Sequence, residues 1–370
     1  MKLPPCLVIP LAAVLLSSAS SIRADEGRSE NVILITLDGA RTQEVFGGLD
    51  LDVLASVTRK GKVEDTPLYK RYWAPTARER REKLMPFFWK TLMARHGSIA
   101  GNRALGSTAL VANKHRFSYP GYSELLTGEA HDDVIDSNDK KQNPFPTVLE
   151  HLKRKLGLDA RGVAAFACWD VLDAIVEHEK GAITSNCGYE AYEHSDLAVR
   201  ELSRMQSLAP TPWDTVRHDA YTFRFARAHL ETWKPRVLYL GLGETDDWSH
   251  DGRYDMTLAA LERTDGFLGE LWALLEASDH YRGKTSIIIT TDHGRGNTPA
   301  DWTSHGEDTE GAQYIWIAVI SPGAPRRGEW SDAPAVHLNQ VAATLCAFLG
   351  IDYSEQNPRA GKPMTWMLSP

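Results

Sequence analysis

Short apolar runs rich in β-branched residues alternate along the chain with longer amphipathic stretches. Several of the runs are apolar throughout, which is typical of strands buried on both faces of a mainly parallel sheet. The predicted strands are 31–37, 162–168, 236–242, 285–291 and 314–320, and the predicted helices include 83–95, 147–156, 215–232, 254–275 and 338–349. This alternation predicts an α/β fold, a mainly parallel central sheet with helices on both faces.

Two segments fall outside this alternation. Lys2, an apolar run at 7–16 and small residues up to Ala24 follow the order of a signal peptide, so we expect cleavage after Ala24 and a periplasmic or secreted protein. An uncleaved anchor is the alternative, but the run is short for a membrane span. The charged segment near 50–116 is interpreted as a helical insertion. No clear linker interrupts the remainder, so 25–370 is predicted to form a single domain.

Composition and charge narrow the class of protein. The chain has 370 residues, 42% of them hydrophobic and 24% charged, as in ordinary soluble proteins, and its formal net charge is -8. An acidic balance argues against a nucleic-acid scaffold as partner, because phosphate-backbone binding requires clustered Lys and Arg. After the signal peptide, Cys168, Cys187 and Cys346 remain. A disulfide between Cys168 and Cys187 and three reduced thiols are both compatible with that number.

Acidic and histidine side chains are concentrated just after the predicted strands, where ligands bind in open α/β sheets. Carboxylates combined with imidazoles suit zinc, and also manganese or iron. Each position alone could be a plain turn or loop, but together they could supply two ligand sets. The side chains are Asp38, Glu244, Asp246, His250, Asp292, His293 and, in a later loop, His305.

Ser118 is the candidate nucleophile. Pro120 in a first turn followed by Glu124 predicts that a helix begins here, with Ser118 near its N-cap, where anions are favoured. The alternative is that Ser118 only caps the helix. A hydroxyl bound to a metal ion loses its proton more easily and becomes a nucleophile near neutral pH.

Four motifs in order resemble the alkaline phosphatase superfamily and, within it, the nucleotide pyrophosphatase/phosphodiesterase-like branch. The resemblance extends from Asn31 to about Leu349, except for a segment from Asp50 to about Lys114. The motifs are Leu37-Asp38-Gly39-Ala40-Arg41, Ser118-Tyr119-Pro120 with Leu126-Thr127-Gly128, Glu244-Thr245-Asp246-Asp247-Trp248-Ser249-His250, and Thr291-Asp292-His293-Gly294.

The resemblance implies an alkaline phosphatase-like catalytic domain that holds two divalent metal ions, zinc or else manganese. One ion would be bound by Asp246, His250 and His305, and the other by Asp38, Asp292, His293 and the oxygen of Ser118. Ser118 would attack phosphorus and form a phosphoseryl intermediate. The implied protein is an exported hydrolase of small-molecule phosphate esters, with no stable membrane span after signal cleavage.

Departures from the branch leave the choice between monoester and diester open. Ser118 stands where the branch has Thr, and Gly121 and Tyr122 stand where it has Asn and His. The branch places a substrate-binding Asn at about the position of Asn138. Asn113, Lys114 and Arg116 are further candidates for contacting substrate.

Three alternative functions remain at this point. Tyr122 occupies the place of the Arg in the sulfatase motif, which disfavours a sulfatase, and a phosphonate hydrolase is a related alternative. A non-catalytic metal-containing protein that binds anionic ligands is the third. Trp248 and Trp302 flank ligand motifs and are predicted to wall a substrate pocket.

Overall fold

A mainly parallel sheet of eight strands forms the centre of the molecule. The computed structural model describes residues 28–368, so the predicted signal peptide lies outside the described residues. The strands are β1 Asn31–Leu37, β2 Gly97–Ala100, β3 Ala109–Leu110, β4 Val163–Ala167, β5 Thr184–Cys187, β6 Val237–Leu242, β7 Thr285–Thr290, β8 Tyr314–Ile315, β9 Ile317–Ile320, β10 Gly328–Glu329 and β11 Val336–His337.

The strand order of the large sheet is β10-β2-β9-β7-β1-β6-β4-β5, and a small sheet has the order β11-β3-β8. Strands β7, β1, β6, β4 and β5 run parallel to one another, whereas β9 is antiparallel to both of its neighbours. The parallel strands therefore present their carboxyl ends at one edge, and the predicted mainly parallel sheet is confirmed.

Helices cover both faces of the large sheet. They are α1 Thr42–Gly47, α2 Leu51–Val57, α3 Pro67–Tyr72, α4 Ala77–Leu84, α5 Ser118–Thr127, α6 Val148–Leu156, α7 Leu172–Ile175, α8 Leu197–Leu208, α9 Asp219–Trp233, α10 Glu244–His250, α11 Tyr254–Ala277 and α12 Val341–Phe348, with a π-helical segment at Phe88–His96. Short 3-10 turns lie at Val63–Asp65, Arg103–Leu105, Ala160–Gly162, Leu338–Gln340, Tyr353–Glu355 and Thr365–Met367.

The core is divided by the sheet into two apolar clusters. In β1, Val32 and Leu34 pack into one cluster, while Ile33 and Ile35 pack into the other. Successive side chains of a strand point to opposite faces, so a strand buried on both faces must be apolar throughout. This explains why the uninterrupted apolar runs identified the strands.

The segment 50–116 is more than a set of helices. It contains α2, α3 and α4, but it also supplies β2 to the large sheet and β3 to the small one. In its charged cluster, Arg81 is buried, pairs with Glu329 at 2.5 Å and lies 3.7 Å from the centroid of the Trp89 ring. The segment is therefore an integral part of the fold.

Cys168, Cys187 and Cys346 are buried free thiols, which agrees with the reduced alternative. Among the helices formed by residues 28–368, none has both the length and the apolar character that crossing a membrane requires.

Candidate metal centre

Three adjacent parallel strands bring the predicted acidic residues to one edge of the sheet. In the register, Leu37 of β1 is paired with Leu242 of β6, and Thr36 with Thr290 of β7. The three strands therefore end at the same level, and the residues that follow them are neighbours in space although they are far apart in the sequence.

The first group of ligand side chains comprises Asp246, His250 and His305. Asp246 and His250 are four residues apart on one face of α10, and His250 Nε2 lies 3.1 Å from Asp246 Oδ2. His305 Nε2 lies 2.9 Å from His250 Nε2 and 4.0 Å from Asp246 Oδ1. One atom from each of the three side chains lies within 4.8 Å of the others, close enough to share an ion.

The second group surrounds His293. Its Nε2 lies 3.4 Å from Asp38 Oδ1, 3.4 Å from Asp292 Oδ2 and 3.4 Å from the Oγ of Ser118. Asp246 Oδ1 is 3.8 Å from the same nitrogen, so the two groups adjoin. The structure thus brings together all seven predicted ligand residues.

The electrostatics of this centre favour a cation. Burial, followed by repulsion from Asp246, raises the pKa of Asp38, and burial together with Asp38 raises the pKa of Asp292 well above its usual range. Asp38 Oδ1 and Asp292 Oδ2 are buried and make no hydrogen bond within residues 28–368. Buried carboxylate oxygens without partners are costly, and divalent cations would satisfy them. The donor set therefore fits metal ions.

The histidines respond to the same charges. Burial lowers the pKa of His293, but Asp292 and Asp38 outweigh it and raise that pKa to about 9. Burial and the charge of His293 lower the pKa of His305 to about 2, which keeps its imidazole neutral and able to bind a metal.

Ser118 is the first residue of α5, and its hydroxyl does not cap the helix. The N-cap residue is Phe117, whose side chain makes no capping hydrogen bond. Ser118 is 6% exposed, and its Oγ faces His293. The N-cap alternative for Ser118 is therefore wrong, and the hydroxyl lies where the positive end of a helix favours an anion.

Residues that the sequence did not identify support the ligands. Tyr122 donates a hydrogen bond from its hydroxyl to Asp38 Oδ2 at 2.9 Å. Gly39 has a φ of +56°, and a Cβ there would lie 2.2 Å from Asp246 Oδ1. A Cβ on Gly121 would lie 2.4 Å from the carbonyl oxygen of Asp292. Glycine is therefore required at both positions, because Gly121 of α5 and Gly39 of the turn after β1 lie so close to the ligand residues.

Arg295 is buried and pairs with the carboxylate of Asp246, while its Nη1 donates to the carbonyl of Thr303 at 2.5 Å. Burial raises the pKa of Asp246, but the charge of Arg295 and the histidines outweigh it and hold that pKa well below its usual range. Arg295 is therefore an internal ion-pair partner.

Of the predicted substrate-binding residues, Asn138 lies at the site. It lines the cavity beside Ser118, and its Oδ1 accepts a hydrogen bond from the Tyr119 N–H at 2.9 Å. Asn113 is buried and donates to Glu124, and the Arg116 side chain donates to the Glu307 carbonyl. Together with the exposed Lys114, these two side chains lie outside the cavity wall.

The cavity next to Ser118 has a volume of about 320 Å³. Trp248 contacts the edge of the Trp213 ring at a centroid distance of 4.6 Å, behind the wall. Trp302 is buried against Tyr254, so the prediction that Trp302 walls the pocket is wrong. Beyond the candidate ligands, Ser118 and Asn138, the lining residues are Trp169, Trp213, Thr215, Val216, Gly243 and Asp247.

Comparisons with known proteins agree with this geometry. Residues 209–353 match the model of the Metalloenzyme superfamily. No curated protein matches the chain at the sequence level.

Solved structures share the fold. Alkaline phosphatase PafA aligns with a TM-score of 0.59 and 10% identity over 92% of this chain and 99% of its own. The phosphonate monoester hydrolase of Agrobacterium radiobacter aligns with a TM-score of 0.57 and 13% identity over 91% of this chain and 77% of its own. The lipoteichoic acid synthase LtaP from Listeria monocytogenes aligns with a TM-score of 0.52 and 12% identity over 94% of this chain and 76% of its own. Residues 209–353 are therefore similar to the Metalloenzyme superfamily, and the chain shares the fold of these alkaline phosphatase-like structures.

Proposed function

We propose that the protein is a metal-dependent phosphoric ester hydrolase with Ser118 as its nucleophile. The observation that carries the proposal is the convergence of three carboxylates and three imidazoles on one buried serine hydroxyl. Asp246, His250 and His305 would hold one divalent ion, and Asp38, Asp292, His293 and Ser118 Oγ the other. Bound divalent ions lower the pKa of a hydroxyl attached to them and neutralise the negative charge of phosphoryl oxygens. We propose zinc as the metal.

The chemistry on the chain itself takes two steps. Ser118 Oγ releases its proton to solvent and attacks phosphorus while the bond to the leaving oxygen breaks, and the leaving alkoxide takes a proton from solvent. Water then attacks the phosphoseryl group, which releases phosphate or a phosphate monoester and returns the proton to Ser118. Asn138 Oδ1 is engaged by the Tyr119 N–H, which leaves the Nδ2 hydrogens of Asn138 available to a phosphoryl oxygen.

We further propose that diesters are preferred over monoesters. Among residues 28–368, the cavity lining includes Asp246 and Asp247 but no Lys or Arg. A monoester dianion carries one more negative charge than a diester, and these walls offer no cationic side chain to offset it. This supports membership of the phosphodiesterase-like branch, which stays a prediction.

Paired chromogenic substrates test the proposal. The zinc-loaded protein should hydrolyse methyl p-nitrophenyl phosphate with a higher kcat/KM than p-nitrophenyl phosphate, and Ser118→Ala should lower both by at least about a thousandfold. Ser123→Ala is the matched control, because Ser123 lies in the same helix and its buried hydroxyl finds no hydrogen-bond partner among residues 28–368. If Ser118→Ala and Ser123→Ala behave alike, the nucleophile assignment fails.

The same assay decides between the alternatives. A sulfatase would prefer p-nitrophenyl sulfate, and a phosphonate hydrolase would prefer a phenyl phosphonate. In this chain Tyr122 stands at the place of the sulfatase Arg, and its hydroxyl donates a hydrogen bond to Asp38. The absence of that Arg from this position favours a phosphate ester over a sulfate ester as substrate. A protein that retains its metal but turns over none of these esters would be the non-catalytic binder.

Export is proposed from residues 1–24 alone. Expression of the full chain should yield a mature protein that begins at Asp25 and accumulates outside the cytoplasm. Mass determination of the N-terminal peptide measures this directly, and an intact N-terminus would contradict it.

A further inference from the structure

Part of the cavity wall away from the ligand residues combines two indole rings with a carboxylate. Trp169, Trp213 and Asp247 line this part, together with Val216 and Gly243. Both tryptophans are partly exposed, unlike most aromatic residues of the core. Nothing in the proposed attack by Ser118 uses these three side chains.

The two rings are held in place. The Trp169 side chain packs against one of the two apolar core clusters, and its backbone is bridged to that of Val216. Trp213 contacts Trp248 edge-on at 4.6 Å, and its Nε1 donates to Asp251 Oδ2 at 3.2 Å. Fixed rings lose little conformational freedom when a ligand packs against them.

Asp247 lies beside the same wall. An ideal Cβ built on Gly243 would lie 2.4 Å from Cys168 Sγ and 3.6 Å from Asp247 Oδ2, so glycine is needed here because the Cys168 side chain occupies that place. The Asp247 carboxylate is half-buried, lines the cavity and makes no hydrogen bond or ion pair within residues 28–368. A half-buried carboxylate without a partner is available to a cationic ligand.

The charges around this wall are predominantly negative. Asp170 follows Trp169, and Asp251 contacts Trp213. Cations near this wall are already paired, Arg295 with Asp246, Lys140 with Asp170 at 3.2 Å and Arg253 with Asp255 at 2.8 Å, and none of these three lines the cavity.

We propose that the alcohol portion of the substrate that packs here carries a cationic amine, held by Asp247 and the faces of Trp169 and Trp213. This rests on the proposed function and names its substrate class. Indole faces attract ammonium groups within about 6 Å of the ring centroid, and quaternary ammonium ligands are recognised by aromatic walls of this kind. A polyphosphate chain would face the unpaired Asp247 carboxylate, which disfavours nucleotide substrates.

A pair of diesters that differ only in charge tests the proposal. One is p-nitrophenyl phosphocholine, and the other is its neutral isostere, in which a tert-butyl group replaces the trimethylammonium group. The zinc-loaded protein should hydrolyse the choline ester with a kcat/KM at least about tenfold higher. Asp247→Asn and Trp213→Leu should each reduce that ratio severalfold. Asp214→Asn, which removes the same charge from an exposed residue outside the wall, should leave the ratio within about twofold.

Binding separates failure of this inference from failure of the proposed function. Calorimetry on Ser118→Ala protein with an equal metal content should show tighter binding of the choline ester than of its isostere. If that preference is seen but neither ester is hydrolysed by the unaltered protein, the inference stands and the hydrolase proposal fails. Equal turnover of the two esters, or faster turnover of the p-nitrophenyl ester of thymidine monophosphate, would overturn the inference while the hydrolase proposal stands.

Discussion

At the scale of single residues, backbone carbonyls fix which nitrogen of each key imidazole faces the centre. His293 Nδ1 lies 2.9 Å from the carbonyl oxygen of Gly294, and His305 Nδ1 lies 3.2 Å from that of Arg116. Donation from Nδ1 leaves Nε2 as the free lone pair, the arrangement seen in metal-binding histidines. Arg116 has a φ of 54°, unusual for a residue with a side chain, and its carbonyl serves His305. Its contribution to the site is therefore through the backbone.

The ligand assignment predicts unequal effects of substitutions around the centre. Asp292→Ala or His305→Ala should lower both bound metal and activity far more than Trp302→Ala, because Trp302 packs on Tyr254 outside the cavity wall. Elemental analysis of each purified variant, together with turnover of a diester, provides the measurement. Equal losses in the three variants would contradict the assignment.

Tyr122 should act through Asp38. Tyr122→Phe removes the hydroxyl that donates to Asp38 Oδ2 and should weaken metal binding by about 10- to 100-fold, the usual effect of losing a group that orients a ligand. Tyr239→Phe is the matched control, since its buried hydroxyl pairs with Thr36 at 2.9 Å and not with a ligand. Competition with a chelating dye measures both affinities, and identical values would show that Tyr122 has no role in binding.

At the scale of elements, helix α10 carries two ligands and is anchored at its N-terminus by Asp219. The Asp219 carboxylate accepts hydrogen bonds from the N–H of Gly243 at 2.9 Å and of Glu244 at 3.2 Å. Burial, followed by repulsion from Glu244, raises the pKa of Asp219 to about 8. Glu244 is in turn paired with Arg263 and His218. A buried network outside the metal centre therefore positions Asp246 and His250.

This network predicts a pH dependence of stability. The pKa of Asp219 is near its ordinary value of 3.8 when the chain is unfolded but about 8 in the folded protein, so the folded state binds more protons between these pH values. Its contribution to the free energy of unfolding is fully present below that range and is lost as the pH rises towards 8. Asp219→Asn should flatten this decline.

Urea unfolding at several pH values, in wild type and variant, gives the comparison. Asp279→Asn, whose side chain is 97% exposed, should keep the wild-type slope. If the free energy of unfolding of Asp219→Asn falls with pH as steeply as that of the wild type, Asp219 is not the cause of the decline.

How far the elements could be predicted depends on the length of their apolar pattern. The β1 run reproduces its strand, but the predicted strand at 314–320 divides at Trp316 into β8 in the small sheet and β9 in the large one. Two-residue strands such as β10 have no periodicity to detect. The roles of Tyr122, Trp169 and Trp213 also depend on contacts between distant segments, which a pattern within one segment does not contain.

At the scale of the whole molecule, the fold concentrates negative charge from remote parts of the chain in one buried place. Asp38, Asp246 and Asp292 all lie within 3.8 Å of a single nitrogen, His293 Nε2. Such proximity of three carboxylates is unfavourable in a poorly solvated site, because like charges repel strongly where the dielectric is low. Divalent cations would convert this repulsion into attraction. We therefore expect the folded protein to bind metal much more tightly than the unfolded chain does.

It follows that removing metal should destabilise the whole fold. A ligand present at a thousand times its Kd stabilises the folded state by about 4 kcal/mol, so zinc should raise the Tm of chelator-treated protein by at least about 5 °C. Differential scanning calorimetry of the chelated and reloaded protein measures the shift. Asp246→Ala removes the carboxylate that adjoins both ligand groups, and it should abolish most of the zinc-dependent gain. A Tm that is indifferent to zinc in the wild-type protein would mean that these carboxylates tolerate one another without a cation, and the metal centre inferred from their convergence would have to be abandoned.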